Sequence, residues 1–209
     1  MKLYGYYRSS AAYRVRIALN LKGLAYQSVP VNLLRGEQGG EDYAQVNPQQ
    51  LVPSLVLDDG AVLTQSGAIL EYLEARYPEP ALLPTDPVLA AQLRAACQVI
   101  GCDIHPIANL RVQNYLQAEL GVEVAQKGRW IRHWIGQGFG ALERQLATKP
   151  AWYSEQANLL DLYLIPQIYN ARRFELDMAP YPHLLAAEAR CGALPAFVDA
   201  LPQHQPDAV

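Results

Sequence analysis

Arg8-Ser9-Ser10-Ala11-Ala12-Tyr13-Arg14-Val15-Arg16-Ile17-Ala18-Leu19 is the stretch on which the fold turns. Val15, Ala18 and Leu19 recur at three- and four-residue spacing, which predicts a helix from Ser10 to Leu21 that Lys22-Gly23 stops. Just upstream, Lys2 to Tyr7 reads as a strand. Ser9 and Ser10 therefore stand at a strand-to-helix turn. A hydroxyl there can cap the helix, and the positive end of the helix dipole stabilises an anion. Capping alone accounts for a serine in this place; the second role needs a ligand. A nucleophilic serine would need a base, and no histidine is close in sequence. Stabilising a ligand anion is thus the more plausible chemistry, with Arg8 in the same turn.

Outward from this turn, Tyr26 to Val31 predicts a second strand, and Pro30 marks it as an edge or a strand end. Ser54 to Leu57 and Ala61 to Leu63 flank Asp58-Asp59-Gly60, a hairpin signal. Ser66 to Ala75 predicts a helix with Ile69, Leu70 and Leu73 inward. Strands interleaved with helices give a small α/β sheet domain over residues 1–80. Two further features bear on binding. Pro53, at the entrance to a strand, permits a cis bond that exposes the backbone of Val52. Ser66 is a natural helix cap beside Gln65, and free amides at a helix start bind a carboxylate. An edge-strand proline and a plain cap explain each of these singly. Together with the serine turn they make three backbone-rich anchor points.

Residues 78–87 hold four prolines, which neither continue a helix nor join a sheet interior, so the domain boundary lies there. Residues 88–209 predict an all-helical domain. Leu89, Leu93, Ala96 and Ile100 fall at helical spacing, as do Ile131, Ile135, Phe139, Leu142 and Leu146. The segment 159–169 is apolar all round except for Asp161, Pro166 and Gln167, the pattern of a bundle's buried axis. Asn158 before it, with Asp161 three residues on, is a variant of the capping box.

Composition excludes several classes. The 209 residues carry 17 Lys plus Arg against 20 Asp plus Glu, a net charge of −3 that argues against a general nucleic-acid binder. No apolar run of about 18 residues predicts a transmembrane helix, and the N-terminus lacks a signal-peptide pattern. A soluble cytoplasmic protein is expected. Cys97, Cys102 and Cys191 are too few and odd in number for a disulfide framework. Cys97, Cys102 and His105 match no zinc spacing, so no metal is expected.

The order of strand, serine turn, helix, strand, Val-Pro, hairpin, Gln-Ser, helix, proline linker and helical domain resembles a cytosolic glutathione transferase. The opening stretch resembles the zeta-class signature Ser-Ser-Cys-x-Trp-Arg-Val-Arg-Ile-Ala-Leu. Further matches are Asn47-Pro48, Val52-Pro53, Gln65-Ser66, Ile104-His105-Pro106, Pro166-Gln167 through Ala171-Arg172-Arg173-Phe174, and Gln205-Pro206-Asp207, so the resemblance covers nearly the whole chain. Ala11 replaces the signature Cys and Tyr13 the signature Trp. The resemblance implies a thioredoxin-like N-terminal domain followed by a helical bundle, a homodimer, and glutathione as cofactor. It also implies a glutathione-dependent isomerase, converting maleylacetoacetate to fumarylacetoacetate in tyrosine and phenylalanine catabolism.

By the same resemblance, Ser9 or Ser10 would hydrogen-bond the glutathione sulfur. Val52, before a cis Pro53, would pair with the cysteinyl unit, and Gln65 and Ser66 would hold the γ-glutamyl carboxylate. Gln38, His105 and Asn109 would be further glutathione contacts. A thiolate that adds to the cis double bond makes it single, and its departure after rotation leaves the trans alkene. The reactive sulfur belongs to the cofactor, so this chemistry does not require a cysteine at Ala11. Substrate carboxylates suit arginine forks, for which Arg8, Arg111 and Arg173 are candidates. Arg14 and Arg16 face opposite sides of a helix and serve equally well as structural pairs, and Arg172 and Arg173 adjoin Glu175. Competing functions are maleylpyruvate isomerase of the gentisate pathway, a general glutathione S-transferase, and a non-catalytic glutathione- or partner-binding module, which the loss of Cys at Ala11 would favour.

Overall fold

In the computed structural model, which describes residues 1–149, 152 and 156–209, β1 (Lys2–Gly5) lies inside a four-stranded sheet of order β2-β1-β3-β4. β2 (Gln27–Pro30) runs parallel to it at one edge, with Gly5 opposite Pro30. A parallel neighbour needs a crossover, and α1 (Ser10–Leu21) supplies it. β3 (Ser54–Val56) pairs antiparallel with β1, and β4 (Val62–Thr64) antiparallel with β3 as the hairpin. α2 (Glu41–Val46) precedes β3 and α3 (Ser66–Arg76) follows β4. This is the thioredoxin-like arrangement. The sequence pattern misses α2 because it is short and buries only Tyr43.

Every residue of α1 from Ser10 to Leu19 is buried. Its C-terminal Lys22 is drawn inward too. The Lys22 ammonium donates to the Glu74 carboxylate at 2.8 Å and to the carbonyls of Tyr77 and Pro80 at 2.6 and 3.1 Å. The end of α1 is thereby tied to the end of α3 and to the proline-rich segment.

The chain divides into two compact units, Met1–Leu82 with Gly192–Val209, and Leu83–Cys191. This differs from the expectation that residues 88–209 form one helical domain. The last segment, with α9 (Pro195–Asp199), belongs to the first unit for a polar reason as well as an apolar one. Phe197 and Ala200 are buried. Asn20 donates to the Ala196 carbonyl at 3.1 Å, and the Arg16 Nε donates to the Ala200 carbonyl at 3.1 Å. A buried guanidinium must find acceptors, and the chain's end provides one.

In the second unit, α4 (Pro87–Gln98) begins at Pro87, which the sequence pattern assigned to the linker. Asp86 caps it by accepting the Leu89 N–H at 2.8 Å, and proline is well suited to a first turn. α4 runs into a π-helical turn, Val99–Ile104. α5 (Leu110–Ala118), α6 (Val124–Thr148), α7 (Leu159–Arg173) and α8 (Pro182–Gly192) follow among the described residues. α6 buries Ile131, Ile135, Phe139, Leu142 and Leu146, the set its periodicity predicts. A Cβ at Gly138 would collide with the Ile104 side chain, so glycine lets α6 approach the π turn. Trp130 donates to the Ile107 carbonyl and stacks edge-on against Trp134 at 5.8 Å, as packing residues. No helix is long and apolar enough to cross a membrane among the described residues.

α7 is buried along nearly its whole length. Its capping box forms as the sequence predicts. Asn158 accepts the Leu160 N–H at 2.9 Å, and Asp161 accepts the Asn158 N–H at 2.9 Å. The other Asp161 oxygen accepts from Arg190 Nη2 at 2.6 Å. Burial pushes the Asp161 carboxyl above the usual carboxylate range, and Arg190 opposes this only in part. Truncating Asp161 would remove the cap and leave a partly buried guanidinium without its carboxylate. Asp161→Ala is expected to lower unfolding stability by about 3 kcal/mol or more, as for other broken buried pairs, measured by urea denaturation.

Candidate functional site

The register of the sheet brings the three anchor points together. Tyr4 of β1 stands opposite Ser54 of β3, and Ser54 opposite Thr64 of β4. Beyond this row, β1 continues into the serine turn, β3 is entered through Val52-Pro53, and β4 leaves into Gln65-Ser66. All three segments thus emerge at one end of the sheet.

The serine turn closes through the Ser9 N–H, which donates to the Tyr6 carbonyl at 2.9 Å. Ser9 is the N-cap of α1, and its Oγ accepts the Ala12 N–H at 3.2 Å. With its oxygen engaged in this way, the hydroxyl proton remains to be donated. Ser10 is the first helical residue and only 6% exposed. Arg8 is half-buried, with its guanidinium 4.9 Å from the centre of the Tyr7 ring, and has no ion-pair partner among the described residues. Tyr13, in the place of the signature Trp, is a core residue at 1% exposure.

The Val52–Pro53 bond is cis. The Val52 N–H and C=O have no backbone partner among the described residues. The residue before it is held firmly: the Leu51 carbonyl accepts from Tyr43 Oη and from Asn47 Nδ2, both at 2.7 Å. The Tyr43 hydroxyl also meets Ser54 Oγ at 2.9 Å. Asn47 and Tyr43 are thus what hold this strand entrance in place, a role that no local pattern assigns to either.

Gln65 adopts φ 64° and ψ 115°, a strained backbone for a side-chain-bearing residue. Its amide donates to Gln49 Oε1 at 2.8 Å. No side chain caps α3, so the amides of its first turn stay open to a ligand. Ser66 is therefore not the cap that the sequence predicts but the first helical residue. The Ser66 Oγ accepts from Arg14 Nη1 at 3.2 Å. Gln38 lies in a 3-10 turn, Glu37–Gly39, and its Oε1 is buried without a hydrogen-bond partner among the described residues.

Four candidates lie in the second unit. His105 ends the π-helical turn. Asn109 caps α5 by accepting the Arg111 N–H at 3.1 Å. Arg111 is exposed and has no ion-pair partner among the described residues. Arg173 ends α7, exposed, with Nη1 3.3 Å from Asn170 Oδ1. Arg172 pairs with Glu188 and not with the adjacent Glu175.

Arg14 and Arg16 are structural, each 3% exposed. The signal was present in the sequence: a helix without a polar face that holds two arginines must bury both. Asp207 was also missed. It accepts the Tyr7 N–H at 2.9 Å and so touches the serine turn from the far end of the chain.

The model of the glutathione S-transferase N-terminal domain matches residues 3–81. The chain is similar to the probable maleylacetoacetate isomerase of Vibrio cholerae, at 50% identity over 99% of this chain and 97% of that one. Among solved structures, it is similar to a holo maleylpyruvate isomerase described as a bacterial zeta-class glutathione S-transferase. The TM-score is 0.97 and the identity 44%, over 100% of both chains. A maleylacetoacetate isomerase from Methylobacterium extorquens AM1, with bound malonate and GSH, gives a TM-score of 0.95 at 38% identity, over 100% of both chains.

The strain at Gln65 is measurable without any ligand. Gln65→Gly relieves the backbone but loosens the unfolded chain. A net gain of about 1 kcal/mol in unfolding stability is expected, read by denaturant titration.

Proposed function

The chain belongs to the glutathione S-transferase family, and from that premise we propose that it is a glutathione-dependent cis–trans isomerase converting maleylacetoacetate to fumarylacetoacetate. The observation that carries this is a serine at a helix start, set among backbone anchors at one sheet end, in a chain similar along its whole length to isomerases of this kind.

The residues present fit glutathione. Val52 offers an N–H and a C=O without backbone partners among the described residues, as a strand-like peptide needs. The uncapped start of α3 offers amides to a carboxylate, with Gln65 and Ser66 beside them. When bound, glutathione supplies a thiolate that adds reversibly to the cis double bond, allows rotation, and leaves the trans alkene.

The chain's own residues do the rest. Ser9 Oγ accepts the Ala12 N–H, and its O–H would donate a hydrogen bond to the cofactor's sulfur. That donor and the dipole of α1 favour the ionised thiol, which in free solution has a pKa of about 8.5. Ser9 takes this role over Ser10 because its oxygen is already oriented as the cap. Arg8, lacking a carboxylate of its own among the described residues, binds a substrate carboxylate and stabilises charge that builds up nearby. Arg111 and Arg173 are further carboxylate ligands in this proposal, and Gln38, His105 and Asn109 further glutathione contacts. Ala11 costs this scheme nothing, since the sulfur comes with the cofactor. The proposal includes domains of residues 1–80 and 88–209, the last segment returning to the first unit, and a cytoplasmic homodimer.

Supplied with maleylacetoacetate, the protein is expected to form the trans product only with glutathione present, and faster than it converts maleylpyruvate. Absence of turnover on either acid, or net loss of glutathione into a conjugate, would contradict the proposal. Ser9→Ala is expected to lower kcat at neutral pH by about a hundredfold, with the loss shrinking as pH rises and the thiol ionises unaided. Ser10→Ala is expected to keep most of the rate.

A further inference from the structure

The C-terminal Gln205-Pro206-Asp207 is built around a contact that ligand binding alone does not explain. Asp207 lies 200 residues from Tyr7 in sequence, and its Oδ2 accepts the Tyr7 N–H at 2.9 Å. Tyr7 is the second residue of the turn that the Ser9 N–H closes onto the Tyr6 carbonyl. The other backbone group of the same residue is also held. The Tyr7 carbonyl accepts from Arg16 Nη2 at 3.1 Å, and Arg16 Nε donates to the Ala200 carbonyl at 3.1 Å. The N–H and the C=O of one turn residue are thus both bonded to charged side chains, and charge-assisted hydrogen bonds are the strong ones. Arg8 and Ser9 follow that residue directly.

The tail is shaped to deliver the carboxylate. Gln205 Nε2 donates to the carbonyls of Asp199 and Leu201 at 3.0 and 2.9 Å, which ties the tail to the end of α9. The Gln205 carbonyl accepts the Ala208 N–H at 3.0 Å and closes a second turn. Pro206 takes the position in it where a fixed φ is favoured, and Asp207 follows. Anchoring a loose chain end would explain the Gln205 amide. It would not explain a carboxylate placed on the N–H of Tyr7, the second residue of the serine turn.

We propose that Asp207 is a positioning residue of the active site: through the Tyr7 amide, the C-terminal tail sets the turn that carries Arg8 and Ser9, and so aims the Ser9 hydroxyl. This rests on the assignment of Ser9 to the glutathione thiol. Asp207 itself touches neither thiol nor substrate.

The test compares wild type, Asp207→Ala and Asp207→Asn. Five quantities are read: thermal unfolding, kcat and KM for the diacid, the pKa of bound glutathione from pH titration of thiolate absorbance, and hydrogen exchange of the Tyr7 amide in the ligand-free protein. In Asp207→Ala, Tyr7 exchange is expected to quicken by about tenfold and the bound thiol pKa to rise by about one unit. kcat is expected to fall by about tenfold while KM for the diacid stays near wild type. Asp207→Asn keeps an acceptor oxygen and is expected to recover most of each. If wild type turns over with glutathione and Asp207→Ala matches it in kcat and thiol pKa, the proposal is overturned while the function stands. If wild type shows no glutathione-dependent turnover, the functional assignment fails and this one with it. Should Asp207→Ala not fold, Gln205→Ala, which unties the tail and keeps the carboxylate, is expected to raise the thiol pKa by a smaller amount; an unchanged pKa there overturns the proposal.

Discussion

Two guanidinium groups buried on one helix organise the first unit. Removing a charge from water is costly unless it is paired and hydrogen-bonded, so Arg14 and Arg16 dictate what surrounds α1. Arg14 reaches the first residue of α3 through Ser66 Oγ. Arg16 reaches the Tyr7 carbonyl and the Ala200 carbonyl. The serine turn, the open end of α3 and the returning C-terminal segment are thus each tied to the same helix. Without these ties the three anchors would still emerge at one sheet end, because the strand register puts them there, but the serine turn and the start of α3 would each lose a bond to α1.

Much of this was legible in the sequence where a local physical signal was strong. Period and capping residues placed α1, α3, the hairpin and α7, and Pro30 marked an edge strand. Signals that depend on partners distant in sequence were not legible. α2 has a single buried apolar residue, so no periodicity announces it. Ser66 reads as a cap, yet the strained Gln65 takes the cap position and Arg14 claims the Ser66 hydroxyl. Pro87 reads as linker because a helix's first turn and a proline-rich connector look alike. The return of Gly192–Val209 to the first unit rests on hydrogen bonds to Asn20 and Arg16, and helical spacing carries no trace of them. At the candidate site, the serines, Val52-Pro53 and Gln65-Ser66 could be named from motif and turn chemistry. Asn47 and Asp207 stand in the sequence only as motif matches and Tyr43 not at all, because the bonds by which they hold those groups act across the fold and leave no local pattern.

The chemistry asks little of the protein's own reactivity. In the proposed reaction a hydroxyl, helix amides and the Val52 backbone would hold and ionise a thiol that arrives with its tripeptide. On that reading the reaction needs no cysteine at position 11, where this chain has Ala11.

The return of Gly192–Val209 to the first unit has a consequence for biosynthesis. A ribosome delivers a chain from its N-terminus, so the sheet, α1 and the serine turn emerge early and then wait. The acceptor for Arg16 at Ala200 and the carboxylate for Tyr7 at Asp207 are made only after the whole of Leu83–Cys191. The unit begun first therefore closes only once the other has been synthesised.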